Sequence, residues 1–480
     1  MHARSILSNF GWVGLTVYSE RALGFLTTLI LAKYVAPQDF GIIALASILI
    51  EILMMFKDLG INQALIFQRE DIGKTSVTAF WVMAGYNAVL FGLACLAAPF
   101  AAKFYNNPVI MPVAILLSST MVWDSLRAIP VTLLTKEMRF RKLLVPEAVP
   151  MLGASIVSIV MAVNGMGVWS LVARTLLISI GRLGLIWRFT DFRPAFEFSM
   201  PHARQLFSYG KYIMGSSLLL VVMYNIDKFY VSRWAGLTAL GFYELATRIA
   251  KIPISELSHL VGYVTFPAFS KMNRDLEMVR NAFLSTIRYT GILSIPLSLG
   301  LAIFGPLLIA GLYGPKWAPM GVPLQLLCLY GLFRSISSII HDAFKAMGRP
   351  DAMQKYIFMR LAAIGLLGIP ALYYGGLEGI CLLIAATHFT VMLLELLIIA
   401  SIFSTTVMQI LKPVCFPLAV SLTLIPAAYF TVTSYWGNPG LFGISAGILA
   451  SAVFYIVAIS VFDMLFVGDL RKLAAARQKA

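Results

Sequence analysis

Residues 31–50 read LAKYVAPQDFGIIALASILI, and residues 231–250 read VSRWAGLTALGFYELATRIA. Set against each other at an offset of 200, they share Gly41/Gly241, Leu45/Leu245 and Ala46/Ala246. They also pair Lys33 with Arg233, Tyr34 with Trp234, Phe40 with Leu240 and Ser47 with Thr247. Each segment holds a turn between the end of one apolar run and the start of the next. An offset that covers an even number of runs gives both copies the same orientation. Parallel repeats of this kind imply two lobes related by an axis along the membrane normal.

Working outward, apolar runs fill the chain. Of 480 residues, 59% are hydrophobic and only 12% are charged, with a mean hydropathy of +0.85. A soluble protein of this size carries about a quarter charged residues, so the apolar excess must face lipid. A spanning helix needs roughly 20 mostly apolar residues. Such runs are expected near 10–32, 40–56, 78–102, 108–134, 144–163, 166–188, 212–234, 240–268, 283–312, 319–344, 353–374, 376–401, 411–432 and 440–467, with no gap for a soluble domain.

Charge sets the orientation. Alternate loops hold the basic residues, among them Lys57, Arg69 and Lys74, then Lys136, Arg139, Arg141 and Lys142, then Arg188, Arg193, Arg204 and Lys211. The opposite set holds Lys33, Lys103, Arg233 and Lys316 and little else. By the positive-inside rule the basic set is cytoplasmic. Both termini then face the cytoplasm, which requires an even number of spans. The outer connections AAKFYNNP, VNGMG, YYGGLEG and WGNPG are short and turn-like. The net charge of +15 is accounted for by these loops, without nucleic acid. The first span is expected to act as an uncleaved signal.

The expected fold is an all-α integral membrane protein of about 14 transmembrane helices. It comprises an N-terminal six-helix lobe over 1–188, a linker over 189–211 and a C-terminal six-helix lobe over 212–401. Residues 402–480 add helices 13 and 14 and a basic cytoplasmic tail. The linker, FTDFRPAFEFSMPHARQLFSYGK, is basic and aromatic and suits the cytoplasmic interface. Two lobes around a cleft are the plan of an alternating-access transporter.

A charge at the bilayer centre costs about 2.5–3.5 kcal/mol on insertion scales and needs a partner or a wet cavity. Deep charges fall on Glu20, Arg21, Glu51, Asp124, Arg127, Arg174, Asp227, Lys228, Glu244, Arg248, Arg334 and Glu395. Glu147, Arg182, Lys251, Glu256, His341, Asp342 and Arg360 lie nearer the inner ends, where long side chains can reach the interface. On the first span Thr16, Glu20 and Thr27 share one narrow face, bordered by Arg21. Asp124/Arg127 and Glu244/Arg248 have the i,i+3 and i,i+4 spacing of local pairs. Such pairs have a bland reading, as neutralised charges that merely permit insertion. Arg174 and Arg334 have no acidic neighbour within a turn. They suit an external anion, since a guanidinium stays charged and presents a planar fork of donors. The carboxylates Glu20, Glu51 and Asp227, with Lys228 and Glu244 as charge partners, are expected to tune coupling to Na⁺ or H⁺.

Other chemistry finds little footing. The four cysteines, Cys95, Cys328, Cys381 and Cys415, lie in apolar runs without metal-ligand spacing. The five histidines are scattered, and no G-x-x-x-x-G-K-[ST] loop occurs. No metal and no organic cofactor are expected.

Several stretches carry a resemblance in order: LAKYVAPQDFGIIALA, FKDLGINQALIFQRED, LLTKEMRFRKLLVPE, GMGVWSLVAR, YNIDKFYVSRWAGLTALGFYELATRIAKIP, YGPKWAPMGVPLQLLCLYGLFRSISS and AFKAMGRPDAMQK. Over roughly residues 10–400 the chain resembles the Wzx and WzxC-type lipid-linked oligosaccharide flippases. These form the polysaccharide transporter family of the MATE-like MOP superfamily, to which the lipid II flippase is a cousin. The resemblance implies a cationic central cavity and substrates carried on undecaprenyl pyrophosphate. They would be moved across the bacterial inner membrane for lipopolysaccharide, capsule or exopolysaccharide assembly. It implies that Arg21 and Arg248 match headgroup-binding arginines, with Glu20 holding or releasing Arg21. A monomeric transport unit is expected, in contact with membrane lipid and with the polysaccharide polymerase machinery as a candidate partner. An ion-coupled multidrug extruder of the MATE type stays open as the alternative. It would want an acidic cavity, against Arg21, Arg174, Arg248 and Arg334 but with Glu51, Asp227 and Glu395. A membrane enzyme would need a sizeable catalytic loop or domain, and the sequence has neither, so an enzyme is not expected.

Overall fold

The computed structural model describes residues 3–57, 61–62, 65, 72–200, 225–251, 275–436 and 440–462, with side chains from 19 onward except at 55–57 and 350–352. Parts of the expected spans 212–234, 240–268 and 440–467, the linker's second half, the side chain of Thr16 and the basic C-terminal tail lie outside the described residues. The helices in order are α1 (Ala3–Tyr34), α2 (Pro37–Lys57), α3 (Ile72–Phe104), α4 (Ile110–Lys136), α5 (Arg141–Val163), α6 (Val168–Phe189), α7 (Gly236–Ala250), α8 (Leu276–Tyr313), α9 (Gly321–Ala346), α10 (Pro350–Ile402), α11 (Val407–Trp436) and α12 (Leu441–Phe462). A helical segment over 225–230 passes through a π-helical turn, Val231–Ala235, into α7.

Among the described residues, nine helices are long and apolar enough to cross a membrane. The long helices α1 and α4, which carry Glu20, Arg21, Asp124 and Arg127, are not among the nine. At about 1.5 Å per residue, the 53 residues of α10 would far overreach a bilayer. The backbone breaks at Gly376 (φ 55°, ψ −143°), a left-handed conformation that glycine adopts without a Cβ clash. That divides α10 into two spans at the point the sequence predicts. Large apolar side chains stand open on the protein surface, as at Phe100 (75%) and Leu366 (77%). In water this would be an aggregation hazard; in a bilayer it is the lipid-facing belt of a multi-pass membrane protein.

The chain divides into two compact units, Met1–Gly241 and Phe242–Ala480. In the first, α1 packs on α5, α5 on α6, and α4 on α2, α3 and α6. Near one end Trp81 donates to the Ala195 carbonyl at 2.8 Å and stacks on Phe196 at 5.0 Å, which ties residues 190–200 to α3. In the second unit α8 is the hub, touching α9, α11 and α12. Its core joins Phe283 and Ile287 of α8, Ile340 and Phe344 of α9, Leu396 and Ile399 of α10, and Ile410 and Val414 of α11.

The two halves of the opening repeat meet inside the first unit. A Cβ on Gly41 would fall 1.8 Å from the Leu237 carbonyl oxygen, and one on Gly241 would fall 1.8 Å from that of Pro37. The contacts are reciprocal: each glycine lies against a residue in the first turn of the other segment's helix. Only glycine allows backbones this close, which is the physical reason for the identity at this pair. Beside it, the Tyr105 and Ser232 hydroxyls are 3.0 Å apart, and the Arg233 guanidinium lies 5.1 Å from the centre of the Phe104 ring.

Candidate functional site

Each unit holds a polar system within its helix bundle. In the first, five charges alternate in sign along a chain that crosses four helices. Arg127 of α4 pairs with Asp124 at 3.3 Å, one turn earlier, and with Glu147 of α5 at 2.6 Å. The other oxygen of Glu147 lies 2.9 Å from Arg182 of α6, and Arg182 reaches Glu20 of α1 at 3.1 Å. Ser179 donates to Asp124 at 2.8 Å. These side chains retain 14–27% exposure. Three carboxylates against two guanidiniums leave the chain one negative charge in excess.

One sequence expectation is corrected here. Glu147 and Arg182 do not extend to the interface but form the middle of this network. The apolar stems could have snorkelled; carboxylates and guanidiniums on facing helices offered closer partners. Glu20 is bonded to Arg182, in addition to the role of holding or releasing Arg21 that the resemblance implies. Adjacent in sequence, Glu20 and Arg21 project about 100° apart around α1. The local Asp124/Arg127 pair does form, but Arg127 shares itself with Glu147.

Arg174, on α6, lies against α1: a Cβ on Gly24 would come within 3.7 Å of its Nη2. Gly24 is one helical turn beyond Arg21. Thr27 of α1 donates to Ser155 of α5 at 2.9 Å, close to the same seam. Glu51 of α2 accepts from Asn225 at 2.9 Å and faces Lys228 at 3.9 Å. Glu51 and Lys228, which the sequence named only as separate deep charges, lie within ion-pair reach of each other. Asp227 lies beside Lys228 in the same helical segment, half-buried.

In the second unit Glu244 and Arg248 make their i,i+4 pair at 3.4 Å, with Arg248 46% exposed. At that exposure the pair contributes little to stability. Arg334 of α9 donates to the Tyr330 hydroxyl, and its guanidinium lies 5.9 Å from that ring's centre. The other face of this group is His388 of α10, whose ring meets Tyr330 edge-on at 4.5 Å. Glu395 of α10 is fully buried and accepts from Arg360 at 2.8 Å and from His341 at 2.9 Å. Arg360, at 8% exposure, and His341 are therefore also corrected: they turn inward to Glu395 and not toward the interface. Asn225, Tyr330 and the Arg360–Glu395–His341 group escaped sequence reasoning. A signal existed in Tyr330, Arg334, Ser337 and His341, whose spacing keeps all four within about 60° on one face of α9.

The network in the first unit makes a stability prediction. Arg182→Ala takes away the guanidinium that Glu20 and Glu147 share, leaving Glu147 with Arg127 and bringing an unneutralised Glu20 beside it. Removing one partner of a fully buried pair costs about 3–5 kcal/mol; the partial exposure here brings the expected loss to the order of 2 kcal/mol. Thermal unfolding of the purified protein should show a clear drop, and Arg182→Ala combined with Glu20→Gln and Glu147→Gln should recover part of it. A triple variant no more stable than the single one contradicts the charge account.

Comparison with known proteins places this architecture. A family model described as "Polysaccharide biosynthesis protein" matches residues 30–322. The chain is 27% identical over 384 residues to the succinoglycan biosynthesis transport protein ExoT of Rhizobium meliloti, covering 79% of this chain and 76% of that one. It is 26% identical over 377 residues to the lipopolysaccharide biosynthesis protein WzxC of Escherichia coli, covering 77% and 75%. The fold matches the lipid II flippase MurJ in an inward closed conformation with a TM-score of 0.73 at 16% identity, over 94% of this chain and 98% of that one. It matches an inward-facing multidrug resistance MATE transporter of the MOP superfamily with a TM-score of 0.62 at 15% identity, over 79% and 94%. The fold is thus of the MurJ and MATE type, and with a family match across well over half its length the chain belongs to the polysaccharide biosynthesis protein family.

Proposed function

We propose that the protein flips undecaprenyl-pyrophosphate-linked oligosaccharide repeat units across the bacterial inner membrane, by alternating access through a cationic cavity. The observation that carries this reading is the family match together with ExoT and WzxC, a transport protein and a lipopolysaccharide biosynthesis protein. The arginines support it: Arg174 lies against α1 one turn from Arg21, and Arg334 is held by a tyrosine on its own helix. In this reading Arg21, Arg174, Arg248 and Arg334 receive the pyrophosphate and sugar. Glu20, Glu51, Asp227, Lys228 and Glu244 bias the states between which the protein moves, with Na⁺ or H⁺ as the coupling ion. An apolar groove between α8 and α12, lined by Pro296, Leu297, Gly300, Tyr455 and Ile456, suits an isoprenoid carrier. The protein works as a monomer beside the polymerase machinery, carries out no covalent chemistry, and keeps both termini in the cytoplasm. In this reading the moving lobes are 1–188 and 212–401, joined by 189–211 and followed by 402–480, whereas the compact units of the structure divide after Gly241.

A multidrug extruder is the second reading, favoured by the excess carboxylate in the network of the first unit. Reconstitution separates the two. Vesicles containing the purified protein and a labelled undecaprenyl-pyrophosphate oligosaccharide are exposed to an external glycosidase. Protein-dependent loss of the inner-leaflet label supports the flippase. Unchanged protection of that label, with extrusion of a cationic dye from the same vesicles, supports the extruder instead.

A further inference from the structure

The Arg360–Glu395–His341 group stands apart from the residues to which that reading assigns work. Glu395 is 0% exposed, and its Oε1 receives both donors, from Arg360 and from His341. Its second oxygen, Oε2, is buried and has no hydrogen-bond partner among the described residues. A carboxylate is acceptor-only when ionised and has lone pairs on both oxygens to satisfy. A pair built only to hold helices together would be expected to satisfy both, since a half-satisfied buried charge is costly. His341 keeps 17% exposure, so the group has an open end and a closed end.

We propose that Glu395 is a proton-carrying site of the second unit, with His341 as its relay to water. The step balances simply. With Glu395 ionised and His341 neutral, the Nε2–H of His341 donates to Glu395 Oε1. A proton from water binds His341 at Nδ1, and the Nε2 proton passes to Oε1. The product is a neutral carboxylic acid and a neutral imidazole carrying its proton on Nδ1. Nothing is oxidised or reduced, and the site gains one positive charge.

The surroundings favour a proton over a metal cation. Arg360 already lies 2.8 Å from the carboxylate, and a sodium ion would share that oxygen with a guanidinium. The titratable and charged groups facing the site are Arg334 and His341 from α9, and Tyr356, Arg360 and His388 from α10. Ser337 adds a hydroxyl at 3.5 Å from Arg360. α8 meets α9 here through the hydroxyl of Ser294, 3.3 Å from Ser335, and α11 contributes apolar Ile410 and Val414 to the neighbouring core. Glu395 and Arg360 lie on opposite sides of the break at Gly376, so the carboxylate links α9 to both halves of α10. Protonation removes the charge that makes this three-way link. A proton can thereby bias a helix arrangement, which is what coupling requires. That consequence rests on the flippase reading; the site itself does not.

The experiment reads the site first, in full-length protein in lipid nanodiscs. Infrared difference spectra between neutral and acidic buffer should show the carbonyl stretch of a protonated carboxylic acid in the wild type. The band should be lost in Glu395→Gln and kept in Glu277→Gln, a carboxylate outside every site described. If the Gln variant is not recovered folded, Glu395→Asp must shift the frequency of the band. After a rapid pH jump, His341→Gln, which can donate but cannot relay, should slow the appearance of the band by about a hundred-fold. Absence of the band in the wild type, or its persistence unchanged in the Glu395 variants, overturns the site. An unaltered rate in His341→Gln overturns the relay. In flux vesicles, an imposed pH gradient should accelerate transport by wild type and not by Glu395→Gln. Equal acceleration of both overturns the coupling role, whereas vesicles with no flux at all speak against the flippase reading and leave the infrared result standing.

Discussion

Arg21→Ala and Arg334→Ala are each expected to reduce polysaccharide export at least about ten-fold in an exporter-null strain, with the protein still present in the membrane. A hydrogen bond to a charged group is worth about 1.5–3 kcal/mol, which converts to roughly ten- to a hundred-fold in binding. The low dielectric at mid-depth favours the upper part of that range. The two sites differ in what holds them. Arg334 is oriented by Tyr330, which in turn packs on His388. Tyr330→Phe should therefore weaken export through loss of orientation, by less than Arg334→Ala. Arg21→Lys should retain partial export, because an ammonium keeps the charge but loses the planar fork. Protein level and thermal unfolding are measured alongside. Full export by both alanine variants with normal protein levels removes the anion cavity.

The roles proposed for these arginines rest on charges that the sequence made visible; their partners were much less visible. Hydropathy located long helices because lipid demands unbroken apolar runs, and it placed the break of α10 beside Gly376 because YYGGLEG reads as a turn. The repeat marked Gly41 and Gly241 as equivalent, and these prove to be a place where backbones touch. Pairings confined to one helix were legible too: Asp124/Arg127 and Glu244/Arg248 form at the predicted spacings. Pairings between helices were not. Whether Arg182 snorkels or turns to Glu20 depends on which face of α1 lies against α6, and no spacing within either helix encodes that. The same holds for Arg360 and His341, joined through a carboxylate 35 residues from one and 54 from the other. Depth along a helix was therefore a poor guide to whether a charge reaches water. What decides it is the presence of an opposite charge on a facing helix.

A reversible thiol crosslink between cysteines placed at Gln38 and Thr238 is expected to arrest transport completely. Both positions are exposed. Each follows directly on the residue, Pro37 or Leu237, whose carbonyl oxygen lies against the opposite glycine. A short methanethiosulfonate bridge should therefore form readily once Cys95, Cys328, Cys381 and Cys415 have been replaced. If substrate leaves on the outer side, these turns must part during each cycle, since a contact of bare backbone leaves no passage between them. The bridge then holds a closed rim, and reduction releases it. Gly41→Ala and Gly241→Ala act on the same contact from the other side. A methyl group cannot stand 1.8 Å from a carbonyl oxygen, so each should prise the rim open, lower the yield of the crosslink and leave export impaired without any bridge. Bridging measured by gel shift, and flux measured before and after reduction in the same vesicles, give the result. Sustained transport by fully bridged protein means that the rim need not open, and alternating access through it is then wrong whatever the likeness to MurJ.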